Sequence, residues 1–148
     1  MSEERGMGDE AWGMGSAWSD GVSEPGGIRS YEDLRVWQAG IALAERAYLV
    51  TKTFPDSERF GLTTQLRRAA VSVPSNIAEG YGRGTRLDYL RFLRIARGSL
   101  FEIQTQILIA HRVGLISSVV LEETRLETDA LRRQLIALIA SVERHTSA

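Results

Sequence analysis

The chain has 148 residues, 43% hydrophobic and 25% charged, with a formal net charge of -1 and no cysteine. That length suits one domain with a real core, and that composition belongs to an ordinary globular protein. The missing cysteines exclude disulfides, thiolate metal sites and cysteine nucleophiles, and the near-zero net charge leaves no whole-chain footprint for nucleic acid.

The average conceals an uneven chain. Residues 1–30 hold 7 of the 14 Gly and 2 of the 3 Trp, with two basic side chains against six acidic ones. This stretch has no helical or strand period and too few apolar residues to offset ordering entropy. Residues 1–29 are therefore expected to be a disordered, acidic, glycine-rich tail, and residues 30–146 the folded domain. Trp12 and Trp18 are candidate anchors in an otherwise solvated segment. The stretch lacks the basic and apolar regions of a secretory signal. The chain has no run of 18 uncharged apolar residues, so no membrane partner is expected and the cytoplasm is the expected compartment. Residues 59–97 show the opposite balance, with eight Arg against Glu79 and Asp88.

The first predicted helix opens at Ser30, with Asp33 in capping-box spacing. Leu34, Trp37, Ile41, Ala44, Tyr48 and Thr51 follow at alternating spacings of 3 and 4, a heptad seam. Pro55 closes this segment. Ser57 is the expected cap of the second helix, whose apolar stripe is Leu62, Leu66, Ala69, Val73 and Ile77. Pro74 falls inside it and predicts a kink, and Gly80, Gly82 and Gly84 mark its end. Thr85 caps the third helix, with Asp88 in capping-box spacing, and its seam is Tyr89, Leu93, Ala96, Leu100, Ile103, Ile107 and Ala110. Gly114 stops it. Ser117 or Ser118 starts the fourth helix, whose seam is Thr124, Thr128, Leu131, Leu135, Leu138 and Val142. No window alternates long enough for a strand. Four long helices with short connections predict an all-α, antiparallel up-down four-helix bundle. Phe101, Leu108 and Ile109 point away from the third seam, in a stretch where Glu102 is the only charge between Gly98 and Ala110. A helix that is apolar on two sides needs covering on two sides, so a homo-oligomer is predicted.

Signs of catalysis are few. His111 and His145 have no acidic partner at helical spacing, so neither a metal site nor a cofactor is expected. Gly80-Tyr81-Gly82-Arg83-Gly84 follows a helix rather than a strand and lacks a Gly-Lys-Ser/Thr ending, which favours a helix–helix turn over a phosphate loop. Gln65, Ser72, Asn76, Glu79 and Arg83 form a polar line at spacings of 7, 4, 3 and 4. Two readings stand: an internal network that fixes packing and register, or a ligand or partner site with Glu79 and Arg83 as its charged members. Arg86, Arg91, Arg94 and Arg97 fall within roughly 140° of a helical wheel, with Arg83 at the entry and Arg67 and Arg68 on the preceding helix. These seven are candidate contacts for a polyanion such as an RNA backbone. The alternative is a solvated or salt-bridged face, since Arg outnumbers Lys 17 to 1, as GC-rich codons would give.

Several segments carry a family resemblance. Tyr31-Glu32-Asp33-Leu34-Arg35-Val36-Trp37-Gln38, Phe54-Pro55 with Glu58-Arg59-Phe60-Gly61-Leu62, the stretch from Gln65 to Gly80 with Gly82-Arg83, and the stretch from Tyr89 to Glu102 occur in order. Together they resemble the bacterial four-helix-bundle family of 23S ribosomal RNA intervening-sequence proteins, across about residues 31–145. The resemblance implies a four-helix subunit that assembles as a homopentamer, while the want of a nucleophile–base pair or metal set makes a non-enzymatic role the expectation. It also implies distant kinship with accessory proteins of diversity-generating retroelements, which bind RNA and a reverse transcriptase. The expected partners are thus further copies of the chain and RNA or a nucleic-acid-processing protein, with a protein-interaction scaffold as the alternative.

Overall fold

The computed structural model describes residues 28–147, with side chains through Arg144. The tail expected over residues 1–29 therefore lies outside the described residues but for its last two, and so does the His145 side chain. Ile28 already packs into the core, at 6% exposure. Four helices follow: α1 (Arg35–Thr51), α2 (Leu62–Gly82), α3 (Arg86–Arg112) and α4 (Ser118–Ser147). Short 3-10 turns at Tyr31–Asp33 and Asp56–Glu58 precede α1 and α2, and no strand occurs among the described residues. Packing runs α1 on α2, α2 on α3, α3 on α4 and α4 back on α1, so α1 and α3 stand at diagonal corners. This is the four-helix bundle expected from the periodicity.

The seams of α3 and α4 are buried along their whole predicted length, from Tyr89 to Ala110 and from Thr124 to Val142. Leu66, Ala69, Val73 and Ile77 of α2 face the same core, and each fully buried large aliphatic side chain contributes about 1.5–3 kcal/mol. The seam expected for α1 requires correction. Ile41 and Tyr48 are 37% and 43% exposed, and Val36, Gly40, Leu43 and Ala47 face the core instead, with Leu34 and Thr51. The reason is the closeness of α2. A Cβ on Gly40 would stand 3.2 Å from Pro74 Cβ and 3.3 Å from its Cδ. Small residues of α1 such as Gly40 and Ala47 admit that approach, so Ile41 and Tyr48 face outward, while Trp37 stays half-buried against the core.

The helix ends differ from expectation in two places. The Ser30 box forms, with the Asp33 carboxylate accepting from the Ser30 N–H at 3.2 Å, but it closes a 3-10 turn. Leu34 is then extended and α1 begins at Arg35. Ser57 does not cap α2. It lies within the second 3-10 turn, and Glu58 Oε1 accepts from the Leu62 N–H at 3.2 Å. Thr85 caps α3 as expected, accepting from the Asp88 N–H at 3.2 Å, and Ser117 caps α4 through the Val120 N–H at 3.2 Å. Gly84 and Gly114 both take φ of 85°, the left-handed geometry that glycine supplies at a helix end. Pro74 is buried inside α2, and helical structure is continuous from Leu62 to Gly82 around it.

Candidate functional site

The polar line of α2 divides into two parts. Ser72 Oγ lies 2.8 Å from Ser99 Oγ of α3, and Asn76 Nδ2 donates to both the Ser72 hydroxyl and the Ser72 carbonyl, each at 2.8 Å. These three residues tie α2 to α3 at one level of the bundle, which fits the packing alternative for this part of the line. Glu79 and Arg83 form a separate ion pair of 3.0 Å at the surface, each about half exposed. Gln65 is exposed and belongs to neither group. Ser99 has no signal in the seam spacing; it is a buried hydroxyl beside the seam residue Leu100.

The seven arginines do not make one patch. Arg67 is turned toward α1: its Nε donates to Thr51 Oγ1 at 2.8 Å, and its guanidinium lies 4.6 Å from the Tyr48 ring centroid. Arg68 is exposed on α2, about 22 Å along that helix from Arg83. The other five cluster at the α2–α3 turn and along the first half of α3, with Arg86 and Arg97 about 16 Å apart along the axis. Arg94 pairs with Glu143 of α4 at 2.9 Å. Arg97 has no ion pair among the described residues.

The turn itself is built around Phe92. A Cβ on Gly80 would stand 2.7 Å from Phe92 Cβ, so only glycine lets α3 come this close to α2. The approach places Arg83 and Arg91 over the same ring, 5.0 and 4.8 Å from its centroid. Tyr81 and Tyr89 meet edge to face beneath, with centroids 6.1 Å apart. Burial pushes the Tyr81 hydroxyl above its ordinary pKa, with the Asp33 charge adding to it, and burial pushes Tyr89 much further. Both stay neutral near pH 7 and contribute no charge to the turn.

A second surface feature lies on α1 and α2. Tyr31 of the first 3-10 turn and Trp37, Ile41 and Ala44 of α1 join Val71, Pro74 and Ala78 around a cleft of about 320 Å³. An adjoining cleft of about 440 Å³ extends over Tyr48 and Leu49. At the diagonal corner Ile95, Phe101, Leu108 and Ile109 of α3 are 38–47% exposed. The second α3 stripe is therefore present as expected, whereas Ile41 and Tyr48 of the expected α1 seam lie at the surface.

No group of three or more His, Cys, Asp or Glu side chains that could hold a metal occurs among the described residues. His111 Nε2 lies 3.1 Å from Ser118 Oγ, but the contact is exposed and joins the ends of α3 and α4, with no carboxylate hydrogen-bonded to the ring among the described residues. No helix among the described residues is long and apolar enough to cross a membrane.

Comparison with curated proteins finds no match. The family model described as 23S rRNA-intervening sequence protein matches residues 32–137, which takes in α1, α2, α3 and most of α4 with both surface features. By that match and by its four-helix architecture, the chain belongs to the 23S rRNA-intervening sequence protein family.

Proposed function

We propose that this protein is a non-enzymatic, homo-oligomeric bundle, a pentamer, that contacts the phosphate backbone of RNA through the arginines of the α2–α3 turn and α3. The observation that carries the RNA reading is the strip of Arg83, Arg86, Arg91, Arg94 and Arg97 along the α2–α3 turn and α3, in which Arg83, Arg91 and Arg94 are exposed and Arg86 and Arg97 half-buried. Arg83 and Arg94 are each tied to a single carboxylate, and both of those carboxylates are themselves half exposed. Such surface pairs are worth about 0–1 kcal/mol, so a phosphate competes with them readily. Arg67, held against Thr51 and Tyr48, is withdrawn from the set. Self-assembly is supported by the two apolar faces at diagonal corners. One isologous contact would cover a single face, whereas a head-to-tail ring covers both, and it repeats the arginine strip around the ring.

Mass determination of the native assembly, with and without nuclease, tests both halves. The expected result is a mass near five times the 16.4 kDa chain that carries nuclease-sensitive RNA, with affinity falling steeply as salt rises. RNA binding that is absent at low salt, or indifferent to salt, overturns the RNA half. A single-chain mass overturns the assembly half. The α1–α2 cleft favours a second reading, a protein-interaction scaffold without nucleic acid. A stoichiometric protein retained after nuclease treatment, with no RNA affinity, would establish it.

A further inference from the structure

Within the arginine strip one pair is built differently from the rest. Arg83 leaves the end of α2 and Arg91 leaves α3, yet both guanidinium groups lie over Phe92, 5.0 and 4.8 Å from the ring centroid. Each cation is within the range of ring attraction, and the two lie no more than about 10 Å apart. Two like charges gathered this closely repel. The only carboxylate bonded to either among the described residues is Glu79, on Arg83 at 3.0 Å. Asp88, the other acidic residue of the segment, forms no ion pair there. The corner thus keeps one positive charge in excess, on side chains whose rotamer freedom the ring has already reduced. The flanking Gly82 and Gly84 have nothing within 4 Å of where a Cβ would stand, so the approach from solvent is open.

We propose that Arg83 and Arg91, positioned by Phe92, form a clamp for a phosphodiester group of RNA, and that this clamp reads backbone and not base. The inference rests on the RNA reading above and names the contact within it. A guanidinium lying over a ring presents its N–H edges sideways, and such edges match phosphate oxygens two at a time. Arg83 gives one Nη2 donor to the half-exposed Glu79, a surface pair that a phosphate can displace. The ring itself is only 9% exposed and is occupied by the cations, so no base can stack on it. Base stacking on aromatic faces is the usual source of single-strand readout in protein–RNA contacts. Its exclusion here leaves the phosphodiester as the group the two guanidinium edges are matched to.

The test is fluorescence anisotropy of the full chain with labelled 20-nucleotide single-stranded RNAs, one of uridine only and one of mixed sequence. The expected result is equal affinity for both, a loss of about tenfold in Arg91→Ala and in Arg83→Ala, and a salt slope reduced by about one per arginine removed. Arg91→Lys and Phe92→Leu keep the charge while disturbing its placement, and each is expected to lose at least threefold. Arg68→Ala, remote on α2, is expected to change affinity by less than twofold. Phe92→Leu alters the core, so its melting temperature is measured alongside, and Arg91→Lys carries the test if that variant unfolds. Wild-type binding that Arg83→Ala and Arg91→Ala leave unchanged overturns the clamp alone. Arg91→Lys equal to wild type shows bulk charge and overturns the clamp alone. A marked preference between the two RNAs overturns the backbone-only readout. No wild-type RNA binding overturns the RNA reading itself. In that case a titration with tripolyphosphate, followed by the Arg Nε–Hε NMR signals of residues 83 and 91, decides the rest. Shifts confined to those two keep an anion clamp for a free polyphosphate, and unmoved signals remove it.

Discussion

The apolar stripe of α4, from Thr124 to Val142, is buried throughout, while Ile41 and Tyr48 in the stripe of α1 remain more than one-third exposed. Both stripes keep the same 3.5-residue rhythm. The difference lies in the other side of each helix. Opposite its stripe α4 carries charge, with Glu122, Arg133 and Arg144 among its exposed residues, so only one side can enter the core. Away from its stripe α1 offers Val36, Gly40, Leu43 and Ala47, and small residues there allow α2 within van der Waals reach. Where two sides of a helix are apolar, the side that permits closer packing takes the core, and the bulkier one is left for another surface to cover.

The largest expected effect lies in the buried stripe. Leu135→Ala should lower stability by about 2–5 kcal/mol in urea unfolding, whereas Ile41→Ala should cost under about 1 kcal/mol in the isolated subunit. Comparable losses at both positions would erase the distinction between the two helices. Next comes pH. Burial raises the Tyr89 pKa, with Tyr81 adding to it, so the unfolded chain loses its phenolic proton first. Above about pH 10 the unfolded state binds fewer protons, and stability should fall by up to about 1.4 kcal/mol per pH unit; below that pH the contribution is complete. Tyr89→Phe should flatten most of this alkaline slope in denaturation series between pH 9 and 12. Asn76→Ala removes the bonds to Ser72 and should cost about 1 kcal/mol by thermal unfolding, with the fold retained. The smallest effect on the fold is sharpest for the comparison. Ile41→Glu should change subunit stability by no more than about 0.5 kcal/mol while reducing the native mass to that of one chain. Retained assembly would deny the α1 stripe any part in it.

Most of the bundle was legible because period and caps are local. The α3 and α4 seams, the Thr85 cap and the glycine stops at Gly84 and Gly114 follow from spacing and backbone freedom alone. The facing of α1 was not legible, because it depends on the fit of Gly40 against Pro74, a contact 34 positions apart. The same limit governed the arginines. A helical wheel groups Arg86, Arg91, Arg94 and Arg97 but has no information on which of them a distant carboxylate engages. The Glu143 that holds Arg94 is 49 residues away. Phe92 was invisible as a shared support for Arg83 and Arg91 because the two cations reach it from different helices.

The spacing of those two cations is set from inside the protein. Gly80 is buried, and its missing methyl group fixes the separation of the α2 and α3 axes at the level of Phe92. Arg83 hangs from one axis and Arg91 from the other. An alanine at 80 would force the axes apart and widen the gauge between two surface charges without touching either. A position that never meets solvent thereby becomes a calibration point for recognition, and variation there would retune the outside of the molecule through its interior.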